Sequence, residues 1–157
     1  MPENFYNVFN NYFQYLASLT IDQKPLWGKM SPQHMIEHLI MAVQMSNGKL
    51  KLECFNPEEN LPALKRLLMS SRPLPKLFIN PVIGPDLLPF KYSNLDEAKA
   101  KLKEEIEDYF RYFEKNPDAK PVNVTFGELN REEWDTFHKK HFTHHLSQFG
   151  LIDSNIE

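Results

Sequence analysis

Cysteine is nearly absent from this chain of 157 residues, where Cys54 stands alone. One thiol cannot close an internal disulfide, build a Cys-based zinc knuckle or form a redox pair, so a reducing compartment is the expected setting. A basic surplus is also lacking. The formal net charge is -3 and the sequence pI near 6.1, with Lys and Arg scattered, whereas nucleic-acid binders concentrate positive charge to displace counterions. No apolar run approaches the roughly 18 to 20 residues that cross a bilayer. The opening MPENFYNVFN has no basic region followed by an uninterrupted apolar stretch. These absences lead us to expect a soluble cytoplasmic protein whose partner is a small molecule rather than nucleic acid or membrane. A chain of this length fits one ordinary domain, here residues 1–157, with a core large enough to need no staples.

Aromatic residues are plentiful, at 13% and mainly from twelve Phe, and they supply bulk for a dry interior. Proline and glycine fall where a helical protein places its breaks. The proline-free stretches are 3–24, 33–56, 90–116 and 122–157, while seven of the twelve prolines lie between Pro57 and Pro89. Phe5, Val8, Phe9, Tyr12, Phe13, Leu16 and Leu19 recur at steps of three and four, which predicts a first amphipathic helix. A second is predicted to start with Ser31 as N-cap and Pro32 at the first helical position, with Met30 and Met35 as a staple, and to end near Asn47-Gly48. Leu95, Ala98, Leu102, Ile106, Tyr109 and Phe113 mark a third, for which Ser93 and Asp96 resemble a shortened capping box. A fourth opens with Asn130 and Glu133 as a capping box and Leu129 and Trp134 as a staple. It closes at Gly150, with Leu151 turned back toward Leu146. Residues 58–70 suit a short helix, and 72–90 read as extended or turning chain packed on the domain. No internal repeat or second-domain boundary is evident. The fold expected is all-α, a four-helix bundle with a long crossover between its second and third main helices.

All six histidines fall in two clusters, His34 and His38 on the second helix and His138, His141, His144 and His145 on the fourth. Positions three and four apart share a helix face, so His138, His141, His145 and Gln148 form one polar stripe. His141 and His145 are spaced to bind one ion. The breadth of the apolar surface on the second helix turns His38 toward the bundle interior. Imidazole suits zinc, nickel, iron or copper, and three imidazoles with an open position can activate water or a thiol. The competing reading of helix-face histidines is solvated or hydrogen-bonded residues, and His34, His138 and His144 fit that description best. The run His34-Met-Ile-Glu37-His38 also satisfies H-x-x-E-H, in which two histidines hold zinc and the glutamate is a base for peptide hydrolysis. Three fixed positions arise easily by chance, and on the other reading Glu37 is a helix-surface carboxylate.

The segments WGKMSPQHMIEH from Trp27 to His38, FGELNREEW from Phe126 to Trp134 and HFTHHLSQFGL from His141 to Leu151 resemble the DUF1569 branch of the DinB/YfiT-like superfamily. The resemblance spans most of the chain, and its last block is the most specific. It implies a DinB-like four-helix bundle with a crossover between helices two and three, and a metal held by His38, His141 and His145. The choice of His38 over His34 rests on it alone. Relatives with known activities are similar to thiol-dependent transferases and a thiol-dependent isomerase, in which a zinc or nickel ion ionises a low-molecular-weight thiol such as bacillithiol or mycothiol. The expectation is then an enzyme that brings such a thiol, or water, to an electrophilic small molecule, with Cys54 a core or loop residue. A metal-dependent hydrolase and a non-enzymatic, metal-stabilised or partner-binding bundle stand as alternatives. An aromatic-rich bundle can also pair as a homodimer through an exposed helix face. His34, His144, Gln148 and Trp27 are candidates to line the site or orient its ligands. Ser147 stands where the family commonly has glycine, and the sequence does not show whether residues 72–90 cover the site as a lid.

Overall fold

The computed structural model describes residues 2–74 and 87–152, with side chains from Asn7 onward. Among the described residues five α-helices follow in order: α1 (Pro2–Leu16), α2 (Pro32–Ser46), α3 (Leu61–Leu68), α4 (Leu95–Lys115) and α5 (Arg131–Gln148). A 3-10 turn, Glu58–Asn60, leads into α3, and a ribbon of two short strands, β1 (Val122–Asn123) and β2 (Gly127–Glu128), lies between α4 and α5. The class is helical, as expected from the apolar periodicity. Phe5 lies outside the described side chains, and 75–86 of the 72–90 segment lies outside the described residues.

The helix starts follow local chemistry. Ser31 Oγ accepts from the His34 backbone N–H at 3.2 Å, and the Ser31 backbone N–H donates to His34 Nδ1 at 3.3 Å, closing a capping box in which histidine takes the place usually held by Glu. Asn130 and Glu133 form the same reciprocal pair at the start of α5, both bonds at 2.9 Å. At α4 the expected Ser93–Asp96 box is replaced by its neighbours. Asn94 Oδ1 accepts from the Glu97 N–H at 2.8 Å, and Glu97 reaches back to the Ser93 N–H. Asn and Ser cap comparably well, and with Asn94 as the cap Glu97 stands at the third position, where its carboxylate can reach back. The α5 end is as expected: Gly150 takes φ 68°, and the Leu151 N–H donates to Leu146 O at 2.8 Å.

The ribbon has no counterpart in the expected elements. Asn123 Oδ1 accepts from the N–H groups of Thr125 and Phe126, which turns the chain through Gly127 at φ 79°. Phe55 N–H donates to Val124 O and Asn56 Nδ2 to Thr125 O, so the stretch after α2 is pinned to the ribbon. Trp134 Nε1 in turn donates to Pro121 O at 2.9 Å. That bond, with Trp134 and Leu129 fully buried, sets where α5 begins.

Helix α2 packs along α4, α1 along α5, and α2 also against α5. Their shared core is aromatic and aliphatic: Phe9, Leu16, Met35, Leu39, Val43, Leu102, Tyr109, Phe113, Phe142 and Leu146 are buried. Tyr12 stacks on Phe142 with centroids 5.3 Å apart, and its hydroxyl reaches Thr143 Oγ1 and Lys139 O. Between α2 and α4 sits a fully buried carboxylate, Glu105. It accepts from Gln44 Nε2 and Asn47 Nδ2 and pairs with Lys49 and Lys101. This packing brings the middle of α2 against the second half of α5.

Candidate metal centre

Each histidine cluster is placed by the helix that carries it. On α2, the Ser31 cap fixes where the helix begins, and Ile36, Leu39, Ile40 and Val43 bury the apolar stripe that orients it. His38 then faces α5. On α5, burial is nearly circumferential: Phe142, Leu146 and Phe149 are buried on one side, and His138, His141, His145 and Gln148 on the other. The polar stripe therefore faces protein and not solvent.

His38, His141 and His145 come together with one ring nitrogen of each within 4.8 Å of the others. The Nε2 atoms of His38 and His141 are 3.0 Å apart, and those of His141 and His145 are 3.2 Å apart. The rings meet edge to face, with centroids 4.8 to 4.9 Å apart. His141 and His145 are buried, whereas His38 keeps part of its surface exposed.

Burial makes a positive charge costly on all three rings. It lowers the pKa of His38 to about 4, assisted by nearby His144. His141 and His145 are pushed well below the usual imidazole range by the same burial, reinforced by the neighbouring histidines. At neutral pH the three rings are uncharged, which is the form that ligates. Three nitrogen ligands at 2.0 to 2.1 Å from a tetrahedral ion would stand roughly 3.3 Å from one another. The two observed separations lie close to that edge length, and the three imidazoles are spaced so that together they could hold a metal ion.

The other candidates occupy distinct places. His34 is not in the cluster: its Nδ1 belongs to the Ser31 cap and its ring packs on Phe90 at 4.4 Å. Glu37 Oε1 accepts from the Lys91 backbone N–H, and Oε2 from the Tyr92 N–H and Gln33 Nε2. The H-x-x-E-H pattern is thereby divided, with only its last histidine in the cluster. His144 lies beside it, its ring 4.8 Å from that of His145 and 5.7 Å from that of Trp27. Gln148 Oε1 meets His145 Nδ1 at 2.8 Å, and Gln148 Nε2 donates to Trp27 O at 3.1 Å. Trp27 thus reaches the site through its backbone as well as its ring, a role that residue patterns do not reveal.

His138, expected to be a supporting or surface residue and not a ligand, is fully buried and hydrogen-bonded to Ser46 Oγ. Cys54 is half-buried, its thiol directed at Asn56 O. Among the described residues no helix is long and apolar enough to cross a membrane.

No curated protein and no solved structure matches the chain. Residues 86–150 match the model of a family described as a protein of unknown function, DUF1569, over a stretch that holds α4, the ribbon and α5 with His141 and His145 and that begins after His38.

Proposed function

We propose that the protein is a metal-dependent enzyme of the DinB/YfiT-like type. In this reading α1, α2, α4 and α5 form the bundle, and His38, His141 and His145 hold a divalent ion, zinc or nickel. The substrates are a small thiol, of the bacillithiol kind, and an electrophilic small molecule, joined in an S-transfer or isomerase-like reaction. The observation that carries the reading is the convergence of three neutral imidazoles from two helices, of which His38 is the most exposed. An ion held there would lower the pKa of a bound thiol or water and make its anion available near neutral pH.

The chain's own part is to hold, orient and shield. His141 and His145 are fixed on the buried side, and the Phe137 ring covers His141 at 5.0 Å. An incoming molecule therefore approaches beside His38. The bonds to Glu37 favour a thiol over water as the nucleophile. A hydrolase needs a base to manage the water proton, and both oxygens of Glu37 are occupied by donors from Gln33, Lys91 and Tyr92. The hydrolase is the runner-up, and turnover without added thiol would support it.

Elemental analysis of protein refilled with zinc or nickel tests the first step, with one ion per chain expected. Cobalt substitution tests the second: added thiol should produce a sulfur-to-metal absorption band. Protein that takes up no stoichiometric ion refutes the metal reading. A cobalt spectrum indifferent to thiols and other ligands would mark a closed site that only ties α2 to α5.

A further inference from the structure

The loop joining α1 to α2 meets the C-terminal end of α5 at several points. Leu26 N–H donates to Gln148 O at 2.6 Å, Gln148 Nε2 to Trp27 O at 3.1 Å and Gln23 Nε2 to Phe149 O at 2.7 Å. Gly28 sits at φ 78°, and a Cβ there would stand 2.9 Å from Gln148 Nε2. The Gln148 amide is thus held by a backbone carbonyl on one side and fits a gap left by the missing side chain of Gly28.

This contact settles a proton. A carbonyl oxygen only accepts, so the Gln148 atom facing Trp27 O is the amide nitrogen. The amide oxygen then faces His145 Nδ1, and an oxygen acceptor requires the proton on that nitrogen. A neutral imidazole with its proton on Nδ1 presents a lone pair from Nε2, the atom directed at His141. By contrast, the buried Nδ1 of His141 has no hydrogen-bond partner among the described residues.

We propose that the α1–α2 loop is the positioning element of the centre: through Trp27 O and the space at Gly28 it fixes Gln148, and Gln148 fixes His145 in the tautomer that ligates. The metal part of this inference rests on the proposed function, but the tautomer does not. Groups that orient a ligand imidazole typically contribute 10- to 100-fold in metal affinity. Their effect here comes from a segment more than a hundred residues away in sequence.

Two measurements test it on the full chain. In metal-free protein at neutral pH, long-range proton–nitrogen NMR correlations of the imidazoles read the tautomer directly. His145 should carry its proton on Nδ1 in the wild type and lose that preference in Gln148→Met, which removes both hydrogen bonds at similar volume. A wild-type His145 protonated on Nε2 overturns the proposal whatever the protein binds.

The second measurement is the zinc dissociation constant by competition with a chelating dye. Gln148→Met should weaken binding about 10- to 100-fold, and Gly28→Ala should weaken it in the same direction without altering any ligand. Gln148→Glu, which keeps an acceptor for Nδ1–H but sets a carboxylate oxygen against Trp27 O, should recover only part of the affinity. Wild-type affinity in both Gln148→Met and Gly28→Ala, alongside loss in His145→Ala, would leave a real site and refute the positioning role. Circular dichroism confirms that each variant is folded, and a Gly28→Ala chain that fails to fold leaves Gln148→Met to decide.

Discussion

His138 and His141 are three residues apart on α5, and their nitrogens have opposite assignments. Ser46 Oγ donates to Val43 O at 2.7 Å, so it accepts the Nε2 proton of His138 at 2.8 Å. Burial lowers the His138 pKa to about 3, and Tyr109 and Trp134 enclose the ring at 5.0 and 5.2 Å. It is a neutral core residue with its donor committed. His141 instead turns Nε2 toward two other imidazoles. From that difference, His145→Ala should abolish stoichiometric zinc binding in dialysis against labelled metal, while His144→Ala should retain most of it. Equal losses in the two variants would contradict the three-histidine set. A further prediction concerns Ser147, whose buried hydroxyl has no hydrogen-bond partner among the described residues. An unsatisfied buried polar group costs roughly 1 to 3 kcal/mol, so Ser147→Ala should raise the urea midpoint by an amount equivalent to about 1 kcal/mol. Spacing alone made His141 and His145 legible as a pair but left His34 and His38 equivalent on their shared face. What separates them is Ser31, three residues before His34, the interval of a capping box; histidine in the reaching-back position is an uncommon form of that signal.

At the scale of elements, helices were legible because their apolar residues repeat with the helical period and their ends carry Asn, Ser, Pro and Gly. The β1–β2 ribbon was not, because strands of two residues are too short to show alternation. Its signal lies in Asn123 and Gly127, turn residues inside a stretch otherwise read by its lack of proline. Nor does a pattern of apolar spacing reveal Glu105, a charged residue on α4 whose burial depends on partners from α2 and its following loop. Burial alone would raise the Glu105 pKa, but hydrogen bonds from Lys49, Asn47, Gln44 and Lys101 outweigh it and hold the carboxyl below its usual value. The unfolded carboxyl titrates near about 4.3. Because the folded pKa is depressed, the stabilisation is complete above that value and is lost as the pH falls through the folded pKa. Urea unfolding of wild type and Glu105→Gln should therefore differ by a constant amount from about pH 7 down to about pH 5, roughly 1.5 to 3 kcal/mol for hydrogen bonds to a charged group. The gap should close in more acid solution. A gap that widens there would show that burial, not the hydrogen bonds, governs Glu105.

Across the whole molecule, the three histidines add to the link between α2 and α5 that the bond from His138 Nε2 to Ser46 Oγ already makes. Helix α2 is fastened to α4 through Glu105, and α5 to α1 through Tyr12 and to the ribbon through Trp134. His38 with His141 and His145 bridges α2 to α5, so an ion bound there would resist any unfolding that separates them. The unfolded chain cannot hold histidines about a hundred residues apart in that arrangement, and binding to the native state alone stabilises by mass action. At a free zinc concentration of 100 times the dissociation constant this amounts to about 2.7 kcal/mol. For a chain of this size each kcal/mol shifts Tm by roughly 2 to 4 °C, so scanning calorimetry should show a rise of about 5 to 11 °C when zinc is added to metal-free protein. The rise should grow with the logarithm of free zinc, and it should be absent in His38→Ala, since removing the α2 ligand leaves the α5 pair with no bridge between helices. A His38→Ala protein that still gains the full shift would mean that the ion is held by α5 alone and that the two helices are not joined through it.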